Sequence, residues 1–175
     1  YFQDVREELA RYTHDVFPAS NGLRVLFVCE PISEHAEKAF GDPRYWGYTE
    51  FDALHYFFSH LELLGRPVHA VVIRPHPSER AGKYDTIAQE LASSKGIPLR
   101  VGGEGSLLQE IAACDVVAGC ESMAMVVGLI AGRRVVSAIP PGGRACSLPH
   151  QQIETLHEPA GSGVQTTPTT TWANK

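Results

Sequence analysis

Two kinds of hydrophobic pattern alternate along this chain. Short, nearly continuous apolar runs are typical of strands that are buried on both faces of a parallel sheet. They predict five strands, at residues 23–29, 68–73, 98–101, 115–119 and 134–139. Segments with apolar residues three or four positions apart predict helices at residues 4–16, 49–64 and 84–94, after Ser106, and at residues 122–131. This alternation predicts right-handed crossovers and an α/β Rossmann-like open parallel sheet of about five strands with helices on both faces.

Polar residues mark where some of these helices begin. Two pairs have the spacing of a capping box, namely Thr49 with Asp52 and Ser106 with Gln109. Residues 30–47 are mostly polar and predict a loop, whose aromatic residues Tyr45 and Trp46 would either cover a pocket or pack on the domain. Residues 148–156 predict a last helical piece.

The sequence divides into four regions. Residues 1–3 resemble the end of a protease site used to remove affinity tags and predict an expression-tag remnant. Residues 4–22 predict an N-terminal helix and turn, and residues 23–156 predict the Rossmann-like domain. Residues 157–175 are rich in Gly, Pro, Ser and Thr and predict a tail, because such a composition buries too little surface to offset its ordering entropy. We expect the chain to be a piece of a longer protein.

The composition narrows the classes of function. A net charge of -5 argues against nucleic-acid binding, which needs a basic surface. No apolar run reaches the roughly 20 residues that a membrane-spanning helix requires. The four cysteines form no C-x-x-C pair and predict reduced, buried thiols in a cytoplasmic protein. Neither these cysteines nor the histidines have the spacing of metal ligands, so we predict no metal and no cofactor.

The most informative motif follows the second predicted strand. The apolar run 71–73 stops at the sequence Arg-Pro-His-Pro-Ser-Glu, residues 74–79. Each proline fixes its own φ and keeps the preceding residue extended, which predicts a rigid loop at the carboxyl end of a buried strand. Ligands bind at that edge in open α/β sheets. Arg74, His76 and Ser78 are therefore candidate ligands for a phosphate or diphosphate.

A second candidate element lies at the start of the apolar helix 122–131. A helix N-terminus offers unpaired N–H groups and a partial positive charge, which suit a phosphate. Gly119 would allow close backbone approach, and Ser122 would add a hydroxyl. Glu121 would accept hydrogen bonds from ribose, or simply lie favourably at the positive end of the helix. The alternative is that Ser122 only caps the helix.

Two further segments are candidates for the wall of the same pocket. Glu30 follows the first predicted strand. Gly102 and Gly103 follow the third strand and would contact a base or ribose, or simply connect two elements. Neither a G-x-G-x-x-G fingerprint nor a P-loop is present in the sequence.

Together these motifs resemble the C-terminal half of GT-B glycosyltransferases, nearest to bacterial surface- and capsular-polysaccharide transferases with a His-Pro motif. The likeness covers about residues 23–156. In those families two Rossmann-like domains face each other across a cleft, and the C-terminal domain binds the donor nucleotide. The resemblance implies that His76 and Ser122 contact the donor phosphate. Arg74 and Glu121 are added to these predicted donor-binding residues because of their position and chemistry, not because of the resemblance.

The resemblance also implies a function. The chain would bind a nucleotide-sugar such as a CMP-, CDP- or UDP-sugar as substrate, for surface polysaccharide synthesis. An N-terminal acceptor-binding domain, absent from this chain, would supply the general base and any peripheral membrane association, so the isolated domain would be inactive. Two alternatives remain open. One is a non-catalytic GT-B-like binding or regulatory module, and the other is half of a nucleotide-sugar 2-epimerase-like enzyme.

Overall fold

Six parallel strands form one open sheet in the computed structural model, which describes residues 7–9, 11–12, 22–103 and 105–156. The strands are β1 (Leu23–Val28), β2 (Val68–Arg74), β3 (Leu99–Val101), β4 (Val116–Gly119), β5 (Arg134–Ser137) and β6 (Glu154–Thr155). Their order across the sheet is β3-β2-β1-β4-β5-β6, and every neighbouring pair is parallel. The predicted α/β Rossmann-like class is therefore confirmed, with six strands instead of about five.

Five α-helices lie between the strands in the described part of the chain. They are α1 (Ile32–Phe40), α2 (Glu50–Ser59), α3 (Asp85–Lys95), α4 (Leu107–Ala112) and α5 (Met123–Ile130), and a 3₁₀ turn at Leu61–Leu64 follows α2. Both predicted capping boxes form, at the starts of α2 and α4. Residues 7–9 and 11–12 are also helical, but the rest of the predicted N-terminal helix and the predicted tail 157–175 lie outside the described residues.

Helices cover the sheet on both faces, which explains why its strands are apolar on both sides. On one face Phe27 of β1 packs against α2, where its ring centroid lies 5.3 Å from that of Phe57, and α3 joins the same cluster. On the other face Leu26 packs with Ile111 of α4 and Met125 of α5. The described helices are too short or too polar for any of them to cross a bilayer.

The prediction that residues 30–47 form a loop is wrong, because α1 lies within them. The buried residues of α1 are Ile32 and Ala36, one turn apart, so its apolar stripe is too thin to stand out in the sequence. Gly41 ends the helix with a φ of 71°, a left-handed conformation that suits glycine.

The predicted helical piece at 148–156 is also wrong, because this segment contains β6. The Leu156 carbonyl accepts a hydrogen bond from the Tyr56 hydroxyl at 2.7 Å, and the guanidinium of Arg134 donates to the Glu154 carboxylate at 2.7 Å. These partners lie 100 and 20 positions away in the sequence. Residues far away in the sequence hold this short strand in place, so the local hydrophobic pattern does not indicate it.

Candidate functional site

The carboxyl ends of β1 and β4 lie side by side in the middle of the sheet. From β1 the chain continues to β2 and β3 on one side, and then crosses to β4, β5 and β6 on the other. Ligands of open α/β sheets bind in the crevice outside such a switch point. At the end of β4, a Cβ on Gly119 would lie 2.8 Å from Val28 Cγ2 and 3.2 Å from Met125 Sδ. Gly119 therefore lets β1, β4 and α5 approach one another at the base of the crevice.

A cavity of about 410 Å³ opens at this switch point. Its walls come from the three loops that the sequence predicted to converge, namely Cys29 and Glu30 after β1, residues 74–77 after β2, and residues 121–124 at the start of α5. The structure thus brings Glu30, Arg74, His76, Glu121 and Ser122 to one cavity.

The exposed His76 ring is oriented by its neighbour Ser78. The Ser78 N–H donates to His76 Nδ1 at 3.2 Å, and Ser78 Oγ lies 2.7 Å from the same nitrogen. In a neutral imidazole the nitrogen that accepts carries no hydrogen, so the hydrogen is on Nε2. Nε2 is then the donor that the ring can offer to an anion. Ser78 is not among the residues that line the cavity, and its contacts are with the ring itself.

Arg74 lines the cavity but already has protein partners. Its Nη1 lies 2.6 Å from Glu110 Oε2 and donates to the Gly105 carbonyl at 3.0 Å. The side chains of Arg74 and Glu110 are 16% and 7% exposed, so this is a largely buried ion pair. The pair fixes α4 against the end of β2, and it limits the freedom of the guanidinium to turn toward a ligand.

The N-terminus of α5 supplies donors on the opposite wall. Ser122 caps the helix, because its Oγ accepts from the Ala124 N–H at 3.2 Å. The hydroxyl still has its own hydrogen to donate, so capping and ligand binding are compatible. The first-turn N–H groups of a helix have no partner within the helix and carry partial positive charge. Ser122, Met123 and Ala124 all line the cavity.

Two carboxylates share this wall and change its electrostatics. Glu30 Oε2 accepts from the Glu121 N–H at 2.9 Å and so occupies one amide at the start of α5. Burial raises the pKa of Glu30 against the effect of that hydrogen bond, and the negative charge of Glu121 raises it further. The Glu121 carboxylate is itself paired with Arg144 and accepts from Ser147 Oγ at 2.9 Å. A negative ligand would therefore meet the Glu30 carboxylate, whose charge is offset only by the Glu121 N–H and by the nearby charge of Arg144.

Gly102 and Gly103 are not brought to this cavity. The Gly103 N–H donates to Glu110 Oε1 at 3.1 Å. A Cβ on Gly102 would lie 2.6 Å from the same oxygen and 2.6 Å from Val72 Cγ1. These glycines therefore let the turn after β3 wrap around the Glu110 carboxylate.

Sequence reasoning missed Arg144, which supports the site from the side. Arg144 stacks over the Trp46 ring, 4.6 Å from its centroid, while it pairs with Glu121. Trp46 packs on the core cluster, whereas Tyr45 is 55% exposed and stacks on Phe40. The separation of these partners in the sequence leaves no spacing pattern that could have revealed them.

No protein-family model and no curated protein sequence matches the chain. Among solved structures, the beta Kdo 2,7 transferase KpsC of Thermosulfurimonas dismutans is similar, with a TM-score of 0.51 and 16% identity, over 89% of this chain and 44% of that one. The beta Kdo 2,4 transferase KpsC of the same organism gives a TM-score of 0.47 and 11% identity, over 88% and 48% of the two chains. E. coli ADP-heptose LPS heptosyltransferase II gives a TM-score of 0.46 and 19% identity, over 90% of this chain and 45% of that one.

The chain therefore spans less than half the length of each of these proteins. At these identities the likeness concerns the fold alone. The expected resemblance to glycosyltransferases of the GT-B type is confirmed at that level: this chain has the fold of one part of a Kdo transferase.

Proposed function

We propose that this chain is the donor-binding part of a glycosyltransferase for surface polysaccharide, and that its ligand is a nucleotide-sugar. The observation that carries this proposal is that His76 and Ser122, from different loops, line one cavity at the switch point of the sheet. The shared fold with a Kdo transferase supports it, and so does the coverage of 44% of that protein, which leaves room for an acceptor-binding part elsewhere. The four free cysteines, three of them buried, suit a reducing cytoplasm.

The donors around the cavity would act on the leaving group. When the bond from the sugar to the phosphate breaks, negative charge develops on the phosphate oxygens. The His76 Nε2–H, the Ser122 hydroxyl and the Met123 N–H at the start of α5 are hydrogen-bond donors beside the cavity that would stabilise that charge. We expect the general base and the acceptor site to lie outside this chain, so the chain alone would bind donor without transferring sugar.

One observation favours an alternative, a binding module without catalysis. The Glu30 carboxylate already takes the Glu121 N–H at 2.9 Å, so the start of α5 has a negative partner of its own. In such a module the crevice would no longer receive a phosphate.

Isothermal titration calorimetry separates these functions. CMP, CDP and UDP are the ligands, and ADP is added because one similar structure is an ADP-heptose transferase. We expect at least one nucleotide to bind and His76→Ala to weaken it about tenfold or more, since a hydrogen bond to a charged group is lost. His55→Ala, at an exposed position on α2, is the matched control and should bind as the wild type does. If none of the four nucleotides binds, or if His76→Ala binds as tightly as the control, the donor-binding proposal is refuted and the module is favoured.

A further inference from the structure

A buried charged cluster lies behind residues 75–79, the loop after β2 that carries His76 and is called the His76 loop below. The mechanism proposed above does not use this cluster. Its centre is Lys83, whose side chain is 4% exposed. The Lys83 ammonium lies 2.6 Å from a carboxylate oxygen of Glu34, 2.6 Å from one of Glu50 and 2.8 Å from one of Glu79. Among the described residues these carboxylates are close enough to hold a metal ion, but the ammonium already sits among them.

The cluster reaches His76 through Glu79. The Glu79 side chain is fully buried, and its Oε2 accepts from the His76 N–H at 2.8 Å. Its Oε1 accepts from the Tyr84 hydroxyl at 2.6 Å and from Lys83 Nζ at 2.8 Å. One oxygen of Glu79 therefore holds the backbone of His76, and the other is anchored in the cluster.

The same cluster reaches the start of α1 through Glu50. The Glu50 side chain is 2% exposed and accepts from the Ser33 N–H at 2.9 Å and from Ser33 Oγ at 2.7 Å. Lys83 thus joins the start of α1, the start of α2 and the His76 loop at a single ammonium group.

The three carboxylates of the cluster need the positive charge of the Lys83 ammonium to stay close together. Burial lowers the pKa of Lys83, but the hydrogen bonds to the three carboxylates outweigh burial and raise it, so the group is charged. Without that charge, two buried carboxylates would face each other with no cation between them, which is strongly unfavourable. The His76 loop would then lose the anchor on Glu79 first, because Glu79 is the member attached to a loop and not to a helix.

We propose that Lys83 is a positioning residue, which fixes the His76 imidazole for anion binding through Glu79. The proposal rests on the function proposed above for His76. Lys83 itself touches no ligand, and the cavity lining does not include it.

The test compares Lys83→Met with the control Glu34→Gln. Glu34 is the exposed member of the cluster, 53% exposed, and it is not bonded to the His76 loop. The first readout is the ¹⁵N and ¹H signals of the His76 ring in the unliganded chain, which report its tautomer and hydrogen bonding. We expect Lys83→Met to shift these signals and to weaken nucleotide binding about tenfold, and Glu34→Gln to leave both unchanged.

If Lys83→Met lowers the melting temperature but leaves the His76 signals and the affinity as in the wild type, Lys83 is only structural and the proposal is wrong. If Lys83→Met does not fold, Tyr84→Phe removes only one bond to Glu79 and should shift the His76 signals in the same direction; unchanged signals would contradict the proposal. The ring signals need no ligand, so they decide the positioning role even if the wild type binds no nucleotide.

Discussion

The ion pair between Arg74 and Glu110 gives the sharpest prediction about what holds the site together. We consider Arg74→Met, Glu110→Met and the double variant, because methionine is unbranched and close in length to both residues. Each single substitution leaves one charged group largely buried without its partner at 2.6 Å. The double substitution removes both charges of the pair, and the remaining neighbour Arg100, whose Nη1 lies 3.9 Å from Glu110 Oε1, is 62% exposed and stays hydrated.

The structure sets the expected magnitudes. Breaking a buried pair by removing one partner costs about 3–5 kcal/mol. We expect each single variant to lose about 3 kcal/mol of unfolding free energy, near the lower end of that range. The reason is that Arg74 keeps its hydrogen bond to the Gly105 carbonyl and Glu110 keeps its hydrogen bond from the Gly103 N–H. The double variant should cost only about 1 kcal/mol, since it loses mainly the acceptor for the Gly103 N–H.

Urea unfolding followed by circular dichroism measures all four proteins. Additive effects would give about 6 kcal/mol for the double variant, so the expected coupling between the two positions is about 5 kcal/mol. A double variant as unstable as the sum of the single variants would refute the view that Arg74 is held in place chiefly by Glu110. The guanidinium would then have a different main role, such as binding the ligand.

Three further predictions test separate parts of the account. Glu30→Gln keeps an oxygen for the Glu121 N–H and removes the negative charge beside the cavity, so nucleotide affinity should rise several-fold in calorimetry at constant ionic strength. The side-chain hydrogen bond from Arg24 lowers the pKa of Asp115 in the folded chain. This pair therefore stabilises the fold above about pH 4, and its contribution is lost as pH falls below that value. The melting temperature of Asp115→Asn should depend less on pH between about 5 and 3 than that of the wild type. Gly119→Ala should destabilise the fold by about 1–3 kcal/mol in urea, because its Cβ would meet Val28.

Each of these predictions has a result that contradicts it. Unchanged or weaker binding by Glu30→Gln would show that its charge does not oppose the ligand. A melting profile of Asp115→Asn that falls in acid as steeply as the wild type would remove Asp115 from the acid-sensitive groups. For Gly119→Ala the matched control is Gly105→Ala, whose Cβ would contact one side-chain oxygen, Gln109 Oε1 at 3.2 Å, and no backbone atom. Equal stability of these two variants would mean that the crevice has room for a side chain.

Much of the fold could be predicted from the sequence because its signals are local. The apolar runs at 23–28 and 68–73 predict the strands β1 and β2, and the capping box at Thr49 predicts the start of α2. The site was predictable to the same degree, because consecutive parallel strands bring their carboxyl ends to one edge. This geometry predicts that His76 and Ser122 lie near each other, and in the structure both line one cavity.

The remaining features depend on contacts between distant residues. The sequence predicts Arg74 as a phosphate ligand from its position and chemistry, but its partner Glu110 is 36 positions away. Glu79 belongs to the loop after β2, and nothing in its sequence context indicates that its side chain is fully buried against Lys83. The strand β6 has two residues and is held by side chains from α2 and β5. A periodicity argument reads neighbours along the chain, so it cannot find such partners.

The central claim is that His76 and the N-terminus of α5 contact the same anion. An NMR titration of the ¹⁵N-labelled chain, with the nucleotide that binds best in calorimetry, follows the His76 ring and the Ser122 and Met123 amides in one experiment. The account predicts that all three groups of signals shift and saturate with a single Kd. Signals that move at only one of the two elements, or that saturate with different Kd values, would contradict it.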